Sequence, residues 1–161
     1  MSVSRDDVRQ HLSRILAEEA QLLAELESVL ERETDILVGD DAQAIQNIGS
    51  NRHRCVDALS RLGVERTDTG RMLCFGADAT GLDQLFEWAD PSKALHARWS
   101  VNLELARRCK AINDKNGAIV AAKLNRVQKL LGQLRGVNPA PVYSSRASRY
   151  ASLGLRNLGV A

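Results

Sequence analysis

Two stretches of this chain decide its fold. Residues 4–39 read SRDDVRQHLSRILAEEAQLLAELESVLERETDILVG, and residues 92–135 read SKALHARWSVNLELARRCKAINDKNGAIVAAKLNRVQKLLGQLR. In the first stretch, apolar residues recur at steps of four and three, and a second apolar line at intervals of seven runs beside them. The two lines are Val8, Leu12, Ile15, Leu22, Leu26, Val29 and Ile36, and then Leu16, Leu23, Leu30 and Leu37. A stripe of this width is typical of a bundle helix that touches more than one neighbour.

Two acidic residues interrupt the apolar stripe of the first helix. Glu19 and Glu33 stand at positions where the spacing of four and three expects an apolar side chain. Such residues either mark the edge of a stripe or pair with a basic residue of the facing helix. At the end of the stretch, Gly39 is expected to stop the helix as a C′ residue.

The chain between the two long helices contains more helix breakers. Asp40 or Asp41 is predicted to cap a second helix that runs to about Leu62 and is ended by Gly63. The short connection predicts that this helix is antiparallel to the first.

Residues 64–91 carry three glycines and a proline, which divide them into short helices at about 68–75 and 80–89. We expect this region to cap one end of the bundle. The fold class predicted is therefore all-α. The chain should form an elongated, antiparallel, coiled-coil-like bundle with two long helices, a cap of short helices and a C-terminal tail.

The centre of the last long helix is unusual. Asn113, Asn116 and Gly117 are poor helix formers, and glycine costs about 1 kcal/mol relative to alanine. One interpretation is that Gly117 permits a close helix crossing while the asparagine side chains hydrogen-bond across it. The alternative interpretation is a kink.

The segment after the last helix differs in composition. Residues 136–161 contain three arginines and no acidic residue, and Pro139 and Pro141 prevent the helix from continuing. A short amphipathic helix fits residues 144–158, but it is too short to be stable alone. The chain therefore divides into a helical bundle domain at 1–135 and a basic C-terminal tail at 136–161 that is either flexible or docked.

Charge is unevenly distributed, although the formal net charge is only +2. Residues 1–39 hold 4 basic and 9 acidic groups, whereas residues 92–135 hold 10 basic and 2 acidic groups. An acidic first helix and a basic last helix attract each other when they pack side by side. No nucleic-acid partner is predicted, because aromatic stacking platforms and a binding motif are both missing from the sequence.

Composition also argues against several other classes of protein. No apolar run approaches the roughly 20 residues that span a bilayer, and MSVSRDDVRQ lacks the apolar core of a signal peptide. The chain is thus expected to be cytoplasmic and not a membrane protein. The three cysteines are expected to be small core residues. Neither a phosphate-binding loop nor metal-ligand spacing is present, so we predict no enzyme activity, catalytic residue, metal or cofactor.

The last helix and the start of the tail resemble a known family. Asn113, Asn116 and Gly117 are followed by a Leu-rich amphipathic stretch and then by Tyr143, an order similar to the C-terminal signature of the FlgN-type flagellar export chaperones. The Leu-rich stretch contains Val127, Leu130, Leu131 and Leu134. Ser144 and Ala147 depart from the family pattern, because glycines are common at their positions.

The resemblance implies a cytoplasmic chaperone of flagellar type III secretion. Such a protein binds the C-terminal helices of the hook-associated proteins, prevents their premature assembly and delivers them to the flagellar export gate. The implied client-binding face on the last helix consists of Leu124, Val127, Leu131 and Leu134. In the tail, Tyr143, Tyr150, Leu153 and Leu158 become candidates for contact with the client or, for Tyr143, with the export gate.

Two alternatives stay open at the level of sequence. The leucines of residues 120–134 can instead pack against the first helix as ordinary core residues. The protein can also be a client-free, homo-oligomeric helical scaffold or adaptor, with a homodimer as its simplest form. Self-association that satisfies the whole apolar face would favour this second function.

Overall fold

The structure is a computed structural model that describes residues 4–39 and 42–136. These residues form four helices, α1 (Arg5–Val38), α2 (Ala42–Met72), α3 (Ala79–Ala89) and α4 (Ala94–Arg135), and no strand occurs among them. The all-α class and the helical bundle are therefore confirmed, and α1 and α4 are the two long helices predicted. Helix α2, with 31 residues, is a third long helix.

Helix α1 lies at the centre of the bundle and packs against both α2 and α4. Its ion pairs with α2 join Glu19 to Arg66 and Glu33 to Arg52, so the two helices are antiparallel, as predicted. Its hydrogen bonds with α4 keep a constant separation of 86 residues, so α1 and α4 are parallel. This direction arises because α2 and α3 return the chain to the end at which α1 begins.

The broad apolar stripe of α1 forms the core, as its width predicts. Ser4 caps the helix, with its Oγ accepting a hydrogen bond from the Asp6 N–H at 3.2 Å. One core cluster at the α3 end contains Val8, Leu12, Leu16, Leu85, Phe86, Ala89 and Leu95. A second, central cluster contains Leu23, Leu26, Leu30, Cys55, Leu59, Ala106 and Cys109. Burial on three sides thus makes α1 the helix around which the others assemble.

The predicted end of α2 at Gly63 is wrong. The helix continues to Met72, and Gly63 is buried inside it. The cost of a glycine, about 1 kcal/mol, is offset by the packing of the next two turns onto α1, where Leu62 and Arg66 are buried. Consequently the separate short helix predicted at about 68–75 does not exist.

The chain leaves α2 through a left-handed residue. Cys74 has φ 62°, and the Phe75 N–H donates to the Gly70 carbonyl while the Cys74 N–H donates to the Arg71 carbonyl. This is the hydrogen-bond pattern of a Schellman motif, with a cysteine where glycine is usual. Cys74 is exposed, so the expectation of three core cysteines holds only for Cys55 and Cys109.

The second short helix is confirmed as α3, and it leads into α4 through a buried cap. Asp90 accepts hydrogen bonds from the Ser92 hydroxyl at 2.5 Å and from the Leu95 N–H at 2.9 Å. The Asp90 carboxylate therefore caps the start of α4, and the Ser92 hydroxyl helps to hold it in place. At the far end of α1, Gly39 ends the helix as predicted, but in an extended conformation with φ −78° instead of a left-handed one.

Candidate protein-binding surface

The seam between α1 and α4 contains a buried polar layer near its start. Glu19 is fully buried, and it pairs with Arg66 of α2, itself only 2% exposed. From α4, the Asn102 amide donates to the Leu16 carbonyl at 2.9 Å and to Glu19 Oε2 at 3.4 Å. All three long helices thus meet at one carboxylate.

The same arrangement recurs two heptads later. Glu33 is buried and pairs with Arg52 of α2, and the Asn116 amide donates to the Leu30 carbonyl at 2.9 Å and to Glu33 Oε2 at 3.3 Å. Thr34 donates to Asn116 Oδ1 at 2.6 Å. Glu19 and Glu33 therefore satisfy the second of the sequence interpretations, pairing with a basic residue of a facing helix.

Burial sets the electrostatics of the first layer. Desolvation raises the pKa of Glu19, against the opposing effects of the Arg66 guanidinium and the Asn102 amide. Desolvation also lowers the pKa of Arg66. Buried ion pairs of this kind add little net stability, but misaligned helices would leave their charges unpaired. The two layers thus select one register between the helices.

Small or polar side chains occupy the rest of the covered seam on α4. Ala106, Cys109 and Asn113 are buried between the two layers, and the Cys109 thiol donates to the Leu23 carbonyl at 3.4 Å. Burial raises the pKa of Cys109 to about 12. Gly117 is half-buried next to Asn116. The region of Asn113, Asn116 and Gly117 therefore lies against α1, and α4 continues through it as helix.

Beyond this covered seam, α4 extends past the end of α1. The constant separation of 86 residues places Leu124 opposite Val38, the last residue of α1, and Lys123 Nζ donates to the Gly39 carbonyl at 2.6 Å. Residues 124–135, which we call the α4 overhang, extend roughly 18 Å further at about 1.5 Å per residue.

The α4 overhang presents large apolar side chains to solvent. The exposed fractions are 52% for Val127, 51% for Leu130, 45% for Leu131 and 84% for Leu134. Leu124, at the border with α1, is half-buried. A contiguous group of this kind marks an interaction site more often than scattered single residues do.

This exposure argues against the core interpretation of the leucines. Val127, Leu131 and Leu134 do not pack against α1, so the core interpretation is wrong for them. Their role as a client-binding face stays a prediction. The tail candidates Tyr143, Tyr150, Leu153 and Leu158 lie outside the described residues.

The charges of α1 are paired mostly with α2, which the sequence did not indicate. Glu25 pairs with Arg54, in addition to the two pairs in the polar layers. Between α1 and α4, Arg108 binds Glu27 through two hydrogen bonds, at 2.7 and 3.2 Å. Acidic α1 and basic α4 do meet, but most of the basic residues near the end of α4 lie beyond the reach of α1.

A concave region lies at the other end of the molecule from the overhang. It has a volume of about 620 Å³ among α2, α3 and α4, and its lining includes Arg66, Leu82, His96 and Trp99. The Arg66 guanidinium stacks over the Trp99 ring at 4.3 Å from its centroid. Across the residues that the structure describes, no group of His, Cys, Asp or Glu side chains is arranged to hold a metal ion.

Fold and surface together define a helical bundle with an exposed apolar helix end. A family model described as FlgN protein matches residues 1–150. The chain therefore belongs to the FlgN family, which is a family of flagellar export chaperones. No curated protein and no solved structure matches it. Within residues 4–39 and 42–136, none of the helices has the length and apolar character needed to cross a bilayer.

Proposed function

We propose that this chain is the cytoplasmic export chaperone of the flagellar hook-associated proteins. It binds their C-terminal helices, keeps them from assembling early and delivers them to the flagellar export gate. Membership in the FlgN family supports the general role, and the α4 overhang supports a binding site for a helix.

The observation that carries the proposal is the exposure of four apolar side chains on the part of α4 that extends beyond the end of α1. They are Val127, Leu130, Leu131 and Leu134. An amphipathic client helix that lies along this face buries its own apolar residues together with those of the chaperone. The interaction needs neither a nucleotide nor a metal. Since each partner hides the surface that would otherwise self-associate, the complex stays soluble until release.

The tail is proposed as the second part of the contact. Tyr143, Tyr150, Leu153 and Leu158 lie beyond the overhang in the chain, in a segment that contains no acidic residue. A segment that becomes ordered on contact gives specificity at limited affinity, which suits a client that must be released.

Calorimetric titration of the full-length chain with C-terminal fragments of the hook-associated proteins from the same cell tests the proposal. We expect stoichiometric binding with a Kd of about 1 μM or lower. The double variant Leu131→Ala, Leu134→Ala should weaken it by about tenfold or more, because both side chains are truncated within the contact. The matched control is Met72→Ala, Val101→Ala, which truncates two exposed apolar side chains far from the overhang.

Two results would contradict the proposal. One is the absence of binding by well-folded protein. The other is a concentration-dependent dimer in analytical ultracentrifugation that is abolished by the overhang variant, together with no client binding. The second result would instead support the client-free scaffold.

A further inference from the structure

The α4 seam changes character where α1 ends. Between Asn102 and Asn116, the α4 positions that face α1 at alternating steps of four and three are small or polar: Asn102, Ala106, Cys109, Asn113 and Asn116. Continued at the same steps, the seam reaches Val120, Lys123, Val127, Leu130 and Leu134. The apolar character of the seam therefore rises where its cover is lost, the reverse of what solvent exposure alone would favour.

The charge of this region is of one sign. The last acidic residue of the chain is Asp114, and the basic residues that follow it within α4 are Lys115, Lys123, Arg126, Lys129 and Arg135. With about 3.6 residues per turn, Arg126 and Arg135 border the apolar face of the overhang on opposite sides, while Lys129 lies on the back. Among the described residues, no carboxylate lies within ion-pair distance of Arg126 or Arg135.

This charge argues against two occupants that the chain itself could supply. The tail, residues 136–161, carries Arg146, Arg149 and Arg156 and no acidic side chain. A second copy of the overhang would bring the same basic borders face to face with the first. Like charges placed opposite each other across an interface are repulsive, so both of these pairings are disfavoured.

We infer that the α4 overhang takes an acidic amphipathic helix of the client, seated end to end with α1 so that it continues the line of α1 along α4. This inference rests on the proposed function and specifies the chemistry of the client segment. The client helix would present apolar residues at heptad spacing to Val127, Leu130 and Leu134. It would place Asp or Glu beside Arg126 and Arg135.

Helix α1 already shows what such a partner looks like. It carries leucines at intervals of seven, at 16, 23, 30 and 37, and it is strongly acidic. One of its carboxylates, Glu27, binds Arg108 on the flank of α4 in the bidentate geometry that favours arginine. An acidic client helix would repeat this contact one to three turns beyond the end of α1.

The test uses the full-length chain and two synthetic peptides of about 20 residues, long enough for several helical turns. Both peptides carry leucines at heptad spacing, with glutamates on the flanks in one and lysines in the other. We expect the glutamate peptide to bind and the lysine peptide to bind at least about tenfold more weakly. The charge-reversal variant Arg126→Glu, Arg135→Glu should invert this preference.

Lys129→Glu is the matched control, because it reverses a charge on the same overhang but on its opposite side. It should leave the preference for the glutamate peptide in place. Raising the ionic strength from about 0.05 M to about 0.5 M should weaken binding of the glutamate peptide to the parent chain, since the charges involved are exposed and screened by salt. Circular dichroism of each variant verifies that the helices are intact.

The outcomes separate this inference from the function on which it rests. If hook-associated fragments bind but neither peptide charge nor Arg126→Glu, Arg135→Glu alters affinity, the acidic-helix inference is overturned while the chaperone proposal stands. If the glutamate peptide binds with the expected preference but no hook-associated fragment does, the client assignment fails instead. Dimerisation through the overhang that displaces the glutamate peptide would also overturn the inference, in favour of a second copy.

Discussion

The two halves of α4 use opposite chemistry at equivalent positions. Between Asn102 and Asn116 the helix is covered by α1, and the seam is built from small and polar side chains that bond to α1. Between Leu124 and Leu134 the helix has no α1 beside it, and the seam is built from large aliphatic side chains that face solvent.

This difference indicates that the two halves have different structural requirements. The covered half needs one defined alignment of three long helices, and apolar seams alone permit slippage by a heptad. Buried carboxylates that find a guanidinium and an amide in only one register remove that freedom. The uncovered half needs a partner from outside, and aliphatic side chains provide a driving force that does not depend on one partner sequence.

Truncating one leucine in each half gives the largest expected contrast. Leu23→Ala removes a fully buried side chain from the central cluster and should cost about 2–5 kcal/mol of the free energy of unfolding. Leu134→Ala removes a side chain that is 84% exposed and should change that free energy by less than about 0.5 kcal/mol. Urea denaturation followed by circular dichroism measures both. A comparable loss in the two variants would show that the overhang is part of the stabilising core.

The asparagine layers provide a second contrast. Asn116→Ala removes the buried hydrogen bonds from the Asn116 amide to the Leu30 carbonyl and to Glu33 Oε2, which should cost about 1–3 kcal/mol. Asn125→Ala, on the exposed side of the overhang, replaces the same residue type and should be close to neutral. If Asn116→Ala proved equally neutral, the polar layer would not be holding α4 in register.

Much of the fold follows from sequence periodicity, for a physical reason. The stripe of α1 is wide because the helix is buried on several sides. Glu19 and Glu33, which interrupt the stripe, each pair with an arginine of α2, in agreement with one of the two interpretations of the sequence. Arg66, the partner of Glu19, was missed because α2 was predicted to end at Gly63. Propensity is a local quantity, and packing of the following turns onto α1 overrides the cost of one glycine.

The binding surface was harder to place. The sequence identifies the Leu-rich stretch of α4, but it does not show whether α1 reaches that far. The answer depends on where α1 ends and on the register of α4 against α1, which the two polar layers hold. One usable signal was missed: Asn102 stands two heptads before Asn116, a repeat that predicts two similar layers.

The start of α4 allows a smaller test that depends on pH. Hydrogen bonds from the Ser92 hydroxyl and from the Leu95 N–H hold the pKa of Asp90 below its ordinary range. A lowered folded-state pKa means that the ionised cap stabilises the fold above the ordinary Asp pKa of about 4 and that this contribution is lost as pH falls through the lowered value.

Asp90→Asn should therefore lower the Tm near neutral pH, and the gap from the parent chain should narrow in acid. Asp114→Asn, at an exposed position within α4, is the control, and its difference in Tm from the parent should be small near neutral pH. Differential scanning calorimetry at several pH values measures the gaps. A gap for Asp90→Asn that is independent of pH would mean that the charge of the cap is not what stabilises this end of α4.

The smallest expected effect concerns the segment beyond the overhang. Deleting residues 137–161 should leave helicity and Tm nearly unchanged, because the two core clusters formed by the described residues draw their buried side chains from residues 8–109. Far-ultraviolet circular dichroism and a thermal melt of the shortened chain against the full chain measure this. A large drop in Tm would make the tail part of the fold and would place a second cover on the bundle. An unchanged Tm combined with weaker client binding would instead assign the tail, like the overhang, to the half of the molecule that acts on a partner.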